Sequence, residues 1–121
     1  MSRTKADVKQ RSKKKIASDY LNQVHLIGRL GGKAQEKLLP SGDKVVEFRL
    51  IIGRDEAKNQ TKQSVDTIDI AVWGAVGRKI ALKFDENSWI SVDGAIRRRF
   101  WQSPSGLASR WQVEASQIST I

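Results

Sequence analysis

The chain reads as an all-β domain, with five strands closed into a barrel, one short helix between strands 3 and 4, and a long protruding hairpin joining strands 4 and 5. Three observations predict this. Apolar residues alternate with polar or small ones in five separate stretches, the period of a strand with one buried face. One stretch alone, Ala75 to Phe84, has the four-residue spacing of an amphipathic helix. The fourth strand then runs directly into three adjacent arginines, which do not enter a small apolar interior.

The first strand begins after Asn22, where Val24, Leu26 and Gly28 alternate with His25, Ile27 and Arg29, and it bends at Gly31-Gly32. Lys33 to Leu39 continues it or wraps a corner, up to a turn at Pro40-Ser41-Gly42-Asp43. Val45 to Ile52 is the second strand, with Val46, Phe48, Leu50 and Ile52 on one face. Gly53 to Ser64 is polar and aperiodic, a loop of about a dozen residues that is either a flexible tip or a binding loop. Val65 to Trp73 is the third strand, with Ile68, Ile70 and Val72 facing in and Trp73 off the core face. Val76, Ile80 and Phe84, with Ala81, mark the core side of the helix. Ser88 to Trp101 is the fourth strand and Arg110 to Ile118 the fifth, joined through Ser103-Pro104-Ser105-Gly106. This order is that of the OB barrel, whose second and third strands and protruding loops bind oligonucleotides. Another small β-barrel is the alternative, and a Rossmann unit is disfavoured because its helices would alternate with the strands.

With 121 residues there is room for one domain. There is no cysteine and a single histidine, His25, so neither a disulfide framework nor a zinc cluster is available, and no metal or cofactor is expected. No apolar run approaches the ~20 residues of a membrane helix, and the N-terminus lacks the apolar core of a signal peptide, so no membrane role is expected. The 22 Lys and Arg against 13 Asp and Glu give a net charge of +9, which favours a polyanionic partner. Seven of those basic side chains and two of the acidic ones fall in residues 1–19. That segment is poor in apolar groups and reads as a flexible basic arm, either a solvated tail or a phosphate-contacting extension. Residues 20–121 form the barrel domain.

The fourth strand carries the functional reading. Ile90, Val92, Gly94 and Ile96 set a core face, and the same alternation puts Arg98 next, between Arg97 and Arg99. The strand therefore leaves the body of the domain. It reaches Phe100 and Trp101, turns, and returns with Arg110 and Trp111, so the ribbon carries four arginines and three rings. Cations for phosphates and flat faces for bases are what a sequence-tolerant single-stranded nucleic-acid site requires. Arg97, Arg99 and Arg110 are the leading cationic candidates, because guanidinium both pairs with phosphate and stacks. Arg29, Lys37, Arg49 and Arg54 lie on or near strands expected to line the groove, as ligands or as solvated charges. Trp101 is read as a stacking ring, with Phe100 beside it. Trp73 either stacks on a base or packs beneath a second subunit. Trp89, at a helix-strand junction, and Trp111, in phase with Val113 and Ala115, read as structural. Asp66 and Asp69 fall on opposite faces of their strand, and Gly28, Gly31 and Gly32 lack the Lys-Ser/Thr of a phosphate loop, so the chain is not read as an enzyme.

Over about Asn22 to Ile118 the sequence resembles the bacterial-type single-stranded DNA-binding proteins. The resemblance rests on Asn22-Gln23-Val24 through Gly28-Arg29-Leu30-Gly31, Pro40-Ser41-Gly42, Val46 with Phe48, Val72-Trp73-Gly74, Val92 with Gly94, Arg97 to Arg99 before Trp101, and Glu114. It implies DNA-stacking roles for Trp73 and Trp101. Two further stacking aromatics usual in bacterial members are replaced here by about Glu56 and Thr67, and Asp69 stands where a basic residue is common. The resemblance also implies a homotetramer, or a dimer, that coats single-stranded DNA in replication, recombination or repair, cytoplasmic and nucleoid-associated. No acidic-tipped tail follows Ile118, as in short, tail-less actinobacteria-like paralogues, which leaves protein partners undefined. The alternatives are a primosome-type accessory or assembly module, in which the barrel binds proteins, and an OB-fold RNA-binding protein.

Overall fold

The computed structural model describes residues 19–55 and 64–121. The expected basic arm, apart from Asp19, and Glu56 lie outside the described residues. Six strands and one helix follow in order: β1 (Val24–Leu30), β2 (Gln35–Leu38), β3 (Lys44–Gly53), β4 (Val65–Val72), α1 (Ala75–Leu82), β5 (Trp89–Ser103) and β6 (Gly106–Thr120). β1 and β2 are the two halves of the expected first strand. They are separated where Gly32 takes φ +93°, a conformation that favours glycine. The Gly31 amide still donates to the Arg49 carbonyl at 2.8 Å, so the chain turns the corner without leaving β3.

The sheet runs β1-β5-β6-β4-β3, and a further pairing of β1 with β3 closes it into a ring, with β2 added beside β3. Closure is made at Arg29↔Ile51 and Leu30↔Leu50, and by a short parallel contact of β4 with β6 at Ile70↔Val113 and Ala71↔Glu114. This is the five-stranded OB barrel expected from the sequence, with its helix between the third and fourth barrel strands. Leu30, Val46, Phe48, Leu50, Ile70, Val72, Ile90, Val92, Val113 and Ile118 fill the interior. Ala81 and Phe84 plug one end, Phe84 meeting Phe48 edge to face with ring centres 6.2 Å apart. Among the described residues no helix is long and apolar enough to cross a membrane.

α1 is rolled relative to expectation. A Cβ at Gly77 would lie 2.8 Å from the Val72 side chain, so Gly77 with Ala81, four residues on, faces the barrel and lets helix and strand approach closely. Val76, expected on the core side, is exposed, as is Ile80.

β5 and β6 pair from Ile90↔Thr120 out to Ser103↔Gly106 around a tight turn at Pro104-Ser105, with Gly106 at φ +120°. A bulge falls at Asp93/Gly94: Gly94 pairs with Ala115 and Asp93 with Gln117, leaving Ser116 as the extra residue. The inward face of β6 thereby passes from Val113 and Ala115 to Ile118. β1 flanks β5 only as far as Gly94, where it meets Val24. Beyond that point β5 has no β1 beside it, while β6 keeps its contact with β4 as far as Val113. Ile96, expected in the core, is therefore 45% exposed. Its missing strand neighbour is replaced by the Asn22 side chain, which bonds both the Ile96 amide and its carbonyl, at 2.9 and 2.8 Å.

Candidate nucleic-acid interface

Alternation along β3 turns Val46, Phe48 and Leu50 inward, and Glu47 outward onto a face shared with β2, β4, β6 and the root of the hairpin. Cationic side chains converge on that carboxylate. Lys37 Nζ lies 2.7 Å from its Oε1. Arg99 Nη1 at 3.2 Å, Arg110 Nη2 at 3.1 Å and Gln112 Nε2 at 2.8 Å all donate to its Oε2. Burial pushes the Glu47 carboxyl up, but the hydrogen bonds from Lys37 and Gln112 and the charges of Lys37 and Arg110 outweigh it and hold the group below its ordinary range. Asp69 adds a second negative point, 3.8 Å from Arg49 Nε and 3.9 Å from Arg110 Nη1.

The same guanidinium groups cover indole rings. Arg99 lies 5.1 Å from the centre of Trp73 and Arg110 lies 6.0 Å from that of Trp101, within the range of cation–π attraction. Trp73 is fixed at the end of β4 by the Arg78 guanidinium, which donates to its carbonyl oxygen. A cleft lined by Lys37, Leu39, Glu47, Arg99, Trp101 and Arg110 opens here, and a second lined in part by Gly31, Arg49 and Asp69 shares Lys37, Glu47 and Arg110 with it. Trp73, Trp101, Arg99, Arg110, Lys37 and Arg49 are thus gathered on one outward face.

Of the other expected residues, only Arg97 shares this face. Arg97 is exposed on the same hairpin face, without a charged partner among the described residues. Arg29, at the barrel closure itself, reaches Asn87 Oδ1 at 3.3 Å. Arg54 forks onto Asp66 Oδ1 at 3.1 and 2.8 Å, seven residues along from Glu47. The hydrogen bond from Arg54 lowers the Asp66 carboxyl against a small burial effect, and the same bond raises Arg54. Phe100 points to the opposite face of the hairpin, where Arg98 lies 5.3 Å from its ring centre and 5.7 Å from that of Trp111. Trp111, expected to be structural, is 62% exposed, because its partner Arg98 is already beyond the barrel rim. Glu47 and Gln112 were not anticipated. An outward glutamate in a strand otherwise rich in branched apolar residues was the one available signal.

An OB barrel presenting this face defines a class of small β-barrel whose outer strands and hairpin meet ligands. Residues 21–121 match the model of the Single-strand binding protein family, and the chain belongs to that family. It is similar to the single-stranded DNA-binding protein of Aquifex aeolicus, 30% identical over 104 residues that cover 84% of this chain and 70% of that one. It is similar also to the single-stranded DNA-binding protein of Treponema pallidum, 24% identical with 84% and 58% covered, and to that of Thermotoga maritima, 28% identical with 72% and 63% covered. Against the latter two, the chain spans less than two thirds of the relative's length. The fold is shared with a Plasmodium falciparum SSB solved in complex with ssDNA, at a TM-score of 0.68 and 24% identity, covering 84% of this chain and 96% of that one.

Proposed function

We propose that the protein is a non-catalytic binder of single-stranded DNA with little sequence preference, acting in replication, recombination or repair. One observation carries the reading: two indole-guanidinium pairs, the half-buried Trp73 with Arg99 and the exposed Trp101 with Arg110, lie side by side on the outer face of an OB barrel. A base takes the ring face that a guanidinium now covers, and the freed guanidinium moves from Glu47 to a phosphate. Lys37 does the same as a point charge. Stacking on any base and pairing with any phosphate are both indifferent to sequence. Among the described residues no group of acidic and histidine side chains could hold a metal ion.

Association into a homotetramer, or a dimer, fits the exposed apolar surface on the outer face of β1 and β5, where Ile27, Trp89 and Ile121 stand together. The cytoplasm, at the nucleoid, is the corresponding location. Titration of tryptophan fluorescence with oligothymidine tests the function. Quenching at oligomer concentrations where duplex DNA gives none is expected; no quenching, or equal quenching by duplex, rejects it. Competition with an RNA oligomer of equal length distinguishes DNA from RNA as the preferred strand.

A further inference from the structure

The hairpin has two faces, and only one belongs to the interface already described. Antiparallel partners share a face, and alternate residues along each strand return to it. Arg97, Arg99, Trp101 and Arg110 therefore lie on the Glu47 side. Arg98, Phe100, Ser109 and Trp111 lie on the other, with Arg98 paired to Trp111 and Phe100 to Ser109. We infer that this opposite face is a second stacking platform for single-stranded DNA, built from Phe100, Arg98 and Trp111. The inference rests on the proposed function and adds to it a second track for the same ligand.

Three features support it. Phe100 and Trp111 are 56% and 62% exposed, so two large rings stand in water on a ribbon with no barrel wall behind them. Arg98 reaches both rings and is held there by the Ser109 hydroxyl, to which its Nε and Nη2 donate at 3.1 and 3.0 Å. Its charge is also uncompensated. On the Glu47 side, Arg49, Arg99 and Arg110 face carboxylates and Arg97 does not; on the opposite face Arg98 has no acidic partner among the described residues. Flat rings flanking a guanidinium that has no carboxylate partner are complementary to a polyanion bearing flat bases. The platform offers stacking surface in a chain whose expected aromatic at one β4 position is Thr67, exposed and non-aromatic. A strand leaving Trp101 rounds the edge of the hairpin to reach Phe100 and Trp111, so the second track needs a longer oligomer than the first.

The test compares the full chain with the double variant Phe100→Ala/Trp111→Ala, using oligothymidines of about 8 and about 30 nucleotides, chosen to lie within and beyond a single-barrel site. Equal affinity for the short oligomer and a loss of about tenfold or more for the long one is expected. A second variant, Arg98→Ala, keeps both rings and should weaken the long oligomer alone by a few-fold. A chain with Trp73, Trp89 and Trp101 each changed to Phe leaves Trp111 as the only tryptophan, and its emission should be quenched by the long oligomer only. Unchanged long-oligomer affinity with unquenched Trp111 overturns the second track, while quenching of the unaltered protein still upholds single-stranded DNA binding. Failure of the unaltered protein to bind either length overturns both. A variant whose mass falls in light scattering assigns the rings to subunit packing and overturns the inference.

Discussion

Glu47 sets the state of the interface before any ligand arrives. Three cations and an amide converge on it, and each phosphate must compete with a carboxylate that is already in place. Glu47→Gln should therefore tighten oligothymidine binding a few-fold, on the order of the 1 kcal/mol expected of partly exposed ion pairs, read by fluorescence titration. The same substitution has a pH signature. The folded state holds this carboxyl below its ordinary value of 4.5, so the ionised group's contribution to stability is present above that value and is lost as the pH falls through the depressed one. Melting temperatures of the unaltered protein and of Glu47→Gln should differ at neutral pH and converge in acid. Trp101→Ala, by contrast, removes a stacking face from an exposed site and should cost about 1 to 3 kcal/mol of binding with little change in melting temperature.

At the level of elements, the bulge between β5 and β6 is the most demanding junction. A Cβ at Gly94 would overlap the Glu114 carbonyl oxygen and crowd the Ala115 backbone at 3.0 Å, and neither can yield without breaking the β5–β6 pairing. Gly94→Ala should destabilise the fold by about 2 kcal/mol or more, measured by chemical denaturation. The strands themselves were legible because each buries one face, and period two writes that into the sequence. The helix was legible for the same reason, although Gly77 rather than Val76 meets the barrel: close approach rewards the absence of a side chain, which hydrophobic spacing does not register. The bulge was hidden because one extra residue, Ser116, shifts the phase between Ala115 and Ile118. Trp111 looked buried because its phase matches that of Val113, yet phase fixes the face and not the distance from the rim. The rings and arginines of the hairpin were visible as a local cluster. Glu47 was not, because Lys37, Arg99, Arg110 and Gln112 reach it only after the chain has closed on itself.

Across the whole molecule, charge and oligomeric state govern behaviour. Four phosphate contacts would lower single-strand affinity roughly fiftyfold between about 50 and about 200 mM salt, the slope for single strands being about −0.7 per contact; a flat response would place the binding free energy in stacking instead. Trp89→Glu, in the apolar patch with Ile27 and Ile121, should reduce the mass found by light scattering while sparing the melting of the barrel, since Trp89 is more than half exposed. Ser116 has a further consequence. By absorbing the change of phase within β6, it keeps Val113 and Ala115 as well as Ile118 turned to the core, so that the seal ends at Val113, where the projecting arm begins. Residue pairs added or removed beyond Ile96 and Val113 leave the seal untouched, so the reach of the arm is free to diverge between relatives, or to be re-engineered, on a barrel that stays the same.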